Sequence, residues 1–177
     1  MRVLVTGASG LLGSALVQKL CQSGCQVRAV VREPNQSLSF PSGSETIVAD
    51  ICRSLQTEEM ASDCGAIVHL AAKVHAIDDS GAEKDYEAVN VEGTRHVLDA
   101  AVRSRVNRIV FASSVKVFGE ETDGCIDESQ VPDPQTPYGR SKWQAEQLVS
   151  EYVERHGLTA VSLRLPMVYG PTKKGNL

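Results

Sequence analysis

The sequence predicts an α/β fold: one doubly wound parallel sheet with helices on both faces. Three observations predict it. Short apolar runs alternate with longer segments of helical periodicity, as in repeated strand–helix–strand units. The first run breaks into a glycine-rich turn that opens a helix. A later run ends in two serines, ahead of a helix that begins Tyr138-Gly139-Arg140-Ser141-Lys142. At 177 residues the chain is read as one domain over 1–177, long enough to bury a core.

Composition excludes several classes of function. A hydrophobic content of 42% with 23% charged residues is ordinary for a soluble globular chain. The net charge of −4, with no basic stripe, argues against a nucleic-acid partner. No apolar run approaches bilayer length, and Met1 leads straight into the first strand with no room for a signal peptide. A cytoplasmic location and no membrane partner are therefore expected. Cys21, Cys25, Cys52, Cys64 and Cys125 form no Cys-x-x-Cys pair, so reduced thiols and no metal site are expected. Asn35-Gln36-Ser37 matches a glycosylation acceptor, which carries no meaning without secretion.

Taken in order, Val3 to Val5 reads as a buried strand, followed by Gly7, Gly10 and Gly13 and then by Leu11, Leu12, Ala15, Leu16 and Leu20 at helical spacing. Unpaired N–H groups at a helix start, with the helix dipole, favour an anion there. Gly7 permits the sharp turn, Gly10 lets a pyrophosphate approach the backbone, and Gly13 lets the helix lie close on the sheet. A dinucleotide site is the reading. Gly24 is placed to end the helix, and 27–31 forms the second strand. In such sites an acid at that strand's end binds a ribose hydroxyl, whereas an arginine suits a 2′-phosphate. Val31-Arg32-Glu33 stands here, so NADP fits slightly better than NAD, and Glu33 keeps NAD open.

Thr46 to Ala49 is a third strand, and the residues alone read Asp50 as the N-cap of a helix over Ser54–Ala61, with a cofactor contact the alternative that the family resemblance implies. Ala66 to Ala72 is a fourth strand, where the small Ala71 and Ala72 let the backbone approach a cofactor. His69 has no partner at metal-ligand spacing and is read as a packed, hydrogen-bonded residue. A long helix is expected over Tyr86–Arg103. Asn90 lies inside it against its propensity, which suggests a task, the alternative being a tolerated surface residue. Asn107 to Ala112 is a fifth strand running into Ser113-Ser114, and Ala160 to Leu165 a sixth. The expected strand order is 3-2-1-4-5-6.

Tyr138 and Lys142 fall one helical turn apart. A free tyrosine, with a pKa of about 10, is a poor proton shuttle at neutral pH. A neighbouring ammonium, together with an oxidised nicotinamide, would favour the phenolate. Ser114, at a strand's carboxyl end, could hold an oxygen that alternates between alcohol and carbonyl.

These motifs, with His69-Leu70-Ala71-Ala72, Asn90-Val91-Glu92-Gly93-Thr94 and Leu163 to Pro171, resemble the extended short-chain dehydrogenases/reductases, and within them the NAD-dependent epimerase/dehydratase family. The resemblance is strongest to its UDP-glucose 4-epimerase-like group, through Val168-Tyr169-Gly170-Pro171 and Lys174-Gly175-Asn176. It implies a Rossmann-type three-layer fold and transient oxidation of a nucleotide-sugar hydroxyl. Ser114, Tyr138 and Lys142 would be catalytic. Cofactor contacts would come from Gly7, Ser9, Gly10, Leu11, Leu12, Gly13, Arg32, Asp50, Ile51, Leu70, Ala71, Ala72, Asn90, Ala112, Ser113, Tyr138, Lys142, Pro166 and Val168. It further implies a homodimer built on the helices over Tyr86–Arg103 and Tyr138–His156, and a C-terminal substrate lobe that this chain does not carry. Ser114-Val115-Lys116 stands where sugar dehydratases carry Thr-Asp-Glu, which argues against dehydration. Two alternatives stand beside the epimerase: an NADPH-dependent reductase of a ketosugar or other carbonyl, and a non-catalytic nucleotide-binding protein.

Overall fold

The computed structural model describes residues 1–34, 39–57, 59–74, 82–120 and 124–170. Among these, strands and helices alternate: β1 (Arg2–Thr6), α1 (Leu11–Gln22), β2 (Gln26–Val31), β3 (Ser44–Val48), α2 (Ser54–Thr57), β4 (Ala66–His69), α3 (Ala82–Tyr86), α4 (Gly93–Arg103), β5 (Arg108–Ser114), α5 (Pro137–His156) and β6 (Thr159–Leu165). A π-helical segment, Glu87–Glu92, joins α3 to α4, and a 3-10 turn, Val115–Phe118, follows β5. The strands form one parallel sheet in the order β3-β2-β1-β4-β5-β6, as expected.

Alternation along the central strands sets the layers. Val3 and Val5 of β1 join Val27, Ala29 and Val31 of β2 and Val17 of α1 on one face. Leu4, Ile67, Ile109 and Phe111 pack on the other against Val97 and Leu98 of α4 and Ala145, Leu148 and Val149 of α5. Leu4 and Phe111 are almost wholly covered, and burial of such a side chain contributes roughly 1.5–3 kcal/mol. The order reverses between β1 and β4, so a crevice opens beyond their carboxyl ends.

Four local readings need correction. β4 stops at His69, because Ala71 N–H turns to Thr6 Oγ1 (3.2 Å) instead of continuing the ladder. The helix after Asp50 spans only Ser54–Thr57, and Asp50 is not its cap. Its Oδ1 accepts from Cys52 N–H at 3.0 Å, closing an Asx turn three residues earlier. The helix expected from Tyr86 starts at Ala82 and passes through the π segment, which widens the turn to i→i+5 bonding. Asn90, in that segment, is 1% exposed and is no surface residue. The sequon Asn35-Gln36-Ser37 and the stretch from Pro171 to Asn176 lie outside the described residues.

Candidate active site

The turn from β1 into α1 is pressed against the chain leaving β4. Gly7 has a φ of +67°, and a Cβ there would meet Ala71 N at 2.7 Å. A Cβ on Gly13 would lie 2.1 Å from Gly7 O. Gly10 caps α1 with no side-chain hydrogen bond, and no acid occupies the first helical turn. The first amides of α1, at the positive end of its dipole, are thus left for an anion.

Two clefts meet at this turn and share Gly7, Gly10, Leu70 and Ala72. The larger, about 720 Å³, also takes Leu11, Leu12, Gly13, Ala112, Ser113, Ser114, Tyr138, Lys142, Pro166 and Val168. The smaller, about 360 Å³, takes Ser9, Arg32, Asp50, Ile51 and Ala71. Every residue expected to be catalytic or to contact the cofactor on the family resemblance lines one or the other except Asn90. Ser113 Oγ is buried, lines the larger cleft and has no hydrogen-bond partner among the described residues. A cradle that a Cβ would fill, uncapped amides and this orphaned hydroxyl fit a dinucleotide whose pyrophosphate lies on the turn.

Local folding brings the chemical groups together. Thr136 caps α5 by accepting Gly139 N–H at 3.2 Å, and Pro137 occupies the first position. Gly139 lets the helix start against the 3-10 turn, since a Cβ there would lie 2.5 Å from Lys116 O. That contact sets Tyr138 beside Ser114 at the end of β5. Lys142, one turn on, is 2% exposed, and its Nζ stands 4.2 Å over the Phe111 ring.

The electrostatics set the starting protonation state of the site. Burial pushes the Tyr138 phenol above its ordinary value, a hydrogen bond with Ser114 pulls it down, and Tyr86, its ring 5.8 Å away, pushes it up. With no cofactor charge in the cleft the phenol is thus favoured in its protonated form. Burial moves Lys142 down to about 7, with Glu146 opposing.

A buried relay ties the two sides of the site. Thr6 Oγ1 lies 2.6 Å from His69 Nδ1, His69 Nε2 3.0 Å from Thr94 Oγ1, and Thr94 donates to Asn90 O at 2.6 Å. Because Thr94 spends its proton on Asn90, His69 donates from Nε2 and accepts at Nδ1. His69 is therefore neutral, burial and then Lys142 lowering it to about 3. Asn90 accepts from Lys73 N–H (2.8 Å) and donates to Lys73 O (3.0 Å) and Ser141 Oγ (2.9 Å). It braces the loop after β4 against α5 without reaching either cleft.

The larger cleft also contains residues that the sequence reading missed. Tyr86 and Thr136 line it, as do Lys116 and Glu120, whose Nζ and Oε2 pair at 2.6 Å. Thr136 ahead of Pro137 carried a legible capping signal; Tyr86, Lys116 and Glu120 carried none. Arg32 is 75% exposed along its side chain and lies 3.7 Å from Glu33.

Comparison with known proteins agrees with this geometry. The NAD dependent epimerase/dehydratase family matches residues 3–177. A UDP-glucose 4-epimerase of Vibrio cholerae is 34% identical over 98% of this chain and 54% of its own length. A dTDP-glucose 4,6-dehydratase of Streptomyces niveus is 30% identical, over 97% and 55%. The structure of MoeE5 in complex with UDP-glucose and NAD superposes with a TM-score of 0.85 at 36% identity, covering 97% of this chain and 56% of that one. The chain spans about half the length of the curated relatives it matches. With the sheet order, the glycine turn and the Ser114, Tyr138 and Lys142 arrangement, these matches mean that the chain belongs to the NAD-dependent epimerase/dehydratase family.

Proposed function

We propose that this chain is the dinucleotide-binding domain of a nucleotide-sugar 4-epimerase. The observation that carries the reading is the convergence of Ser114, Tyr138 and Lys142 on one cleft with the glycine turn. The amides of α1 would hold the pyrophosphate, Asp50 and Ile51 would flank the adenine end, and Pro166 and Val168 would line the nicotinamide end. NAD, when bound, would supply a reversible hydride acceptor for the sugar carbon.

The chain's own residues manage the proton. Tyr138 is a protonated phenol while burial dominates its surroundings, so it becomes a base only when positive charge joins Lys142 in the cleft. The phenolate accepts the C4 hydroxyl proton and later gives it back, while Ser114 holds the same oxygen by hydrogen bonding. Lys142 supplies charge from a sealed position and orients the ribose.

NAD is the cofactor of this reading, in keeping with the MoeE5 structure. Arg32, at the wall of the smaller cleft and at the end of a strand that lacks an acid, favours a second reading, an NADPH-dependent carbonyl reductase. A homodimer through α4 and α5 and a cytoplasmic location belong to the proposal. No helix among the described residues is long and apolar enough to cross a membrane.

The test is incubation of UDP-glucose and catalytic NAD with the protein that carries this chain. C4 epimers should form without net reduced nicotinamide, and Tyr138→Phe should slow turnover by roughly a hundredfold or more. Stoichiometric consumption of NADPH with a ketone would replace the epimerase by the reductase.

A further inference from the structure

Lys142 lies on the buried face of α5, and so does Glu146, one turn further on. Two opposite charges so placed, both almost sealed from water, would ordinarily close on each other. They do not. Arg164 of β6 grips the Glu146 carboxylate, with Nε 3.2 Å from each oxygen and Nη2 2.8 Å from Oε2. Arg164 is itself held over the rings of Phe118 (4.6 Å) and Trp143 (5.9 Å). Among the described residues no ion pair joins Lys142 to Glu146, and the ammonium rests on Phe111 at the wall of the larger cleft.

We propose that Glu146 and Arg164 are positioning residues for Lys142. Arg164 restrains the Glu146 carboxylate, so that Glu146 supports the charge of Lys142 at a distance without drawing its ammonium out of the cleft. The inference deepens the epimerase reading and rests on it for its consequence, because Lys142 can serve a sugar or a ribose only from the cleft. The physical reason is the low polarity around the ammonium. A charge sealed from water is costly unless compensated, yet a direct pair would hold it on the wrong side. A bidentate guanidinium is suited to the restraint, since its planar fork fixes both carboxylate oxygens at once.

The groups that face Lys142 are few enough to make the test clean. Neutral His69 acts on it from β4, the Phe111 ring approaches from β5, and Glu146 acts on it from α5 itself, while Tyr138 lines the same cleft. Burial lowers its proton affinity and Glu146 raises it.

The experiment follows the Lys142 side-chain resonances by NMR across a pH titration of this chain, assigned by their loss in Lys142→Met. Glu146→Gln should lower the Lys142 midpoint by about one pH unit. Arg164→Gln should raise it and shift the ε-methylene resonance, as the ammonium leaves the Phe111 ring for Glu146. Where Glu146→Gln alone does not fold, the double variant Glu146→Gln/Arg164→Gln carries its arm, with the midpoint again below wild type. Opposite shifts with movement off the ring support the proposal. Shifts of the same sign, or none, overturn it. The readout needs no turnover, so it can fail while the epimerase reading stands, and loss of epimerase activity would leave it untouched.

Discussion

Asn90 Nδ2 donates to Ser141 Oγ at 2.9 Å, joining the π segment to α5 one residue before Lys142. The same amide closes two hydrogen bonds with the Lys73 backbone. Asn90→Ala would take this partner from the part-buried Lys73 N–H and carbonyl, each costing about 1–3 kcal/mol, while Ser141 Oγ keeps its bond to Tyr138 O. Thermal unfolding should show a loss of roughly 3 kcal/mol, and NAD affinity should fall although the residue lines neither cleft. A variant as stable as wild type would remove the bracing role.

The turn at the head of α1 tolerates no added atom. With Gly13 Cβ 2.1 Å from Gly7 O, Gly13→Ala must lift α1 away from the turn. Overpacking of this kind costs roughly 1–3 kcal/mol. Displacement of the amides should weaken NAD binding by tenfold or more, measured by calorimetry. Serine at Gly24, where a Cβ meets nothing, tests positive φ alone and should leave NAD affinity intact.

Much of this architecture was legible in the chain. The glycine spacing, the six strands and the serine-tipped β5 all depend on local pattern, and local pattern survives folding. What escaped depends on wider geometry. A π segment leaves no compositional mark, so Glu87–Glu92 read as ordinary helix and Asn90 as a residue of unassigned task. The Glu146–Arg164 pair spans a helix and a strand, and nothing in either segment announces the other. Spacing reports Lys142 beside Tyr138, whereas the burial of the phenol and its hydrogen bond with Ser114 depend on how β5 and α5 meet.

Lys142 should cost the fold stability near neutral pH. Its folded pKa, about 7, lies below the unfolded value of 10.5, so the unfolded chain binds the extra proton between them. Lys142→Met should therefore stabilise the protein by roughly 2 to 4 kcal/mol below pH 7. The gain should shrink as pH rises through that window and vanish above it. Denaturation at pH 6 and pH 10 checks this, and equal gains at both would contradict it.

His69 predicts the acid limb. Held neutral at a pKa of about 3 against 6.5 when unfolded, it withholds a proton that the unfolded chain accepts. Its share of stability is complete above pH 6.5 and is lost as pH falls toward 3, at up to about 1.4 kcal/mol per pH unit. In urea melts between pH 7 and pH 4.5, His69→Gln should lose stability with a slope shallower by one proton. Parallel slopes would mean that His69 is protonated in the fold.

The most direct measurement is the alkaline titration of Tyr138, read as the ultraviolet phenolate difference between wild type and Tyr138→Phe, without and with saturating NAD. Alone, Tyr138 should ionise above the usual tyrosine range, at a pH where Lys142 is already neutral; with NAD bound, its midpoint should drop below that range as the positive nicotinamide comes beside it. Failure of NAD to bind, or a midpoint that stays put once it has bound, would contradict the account.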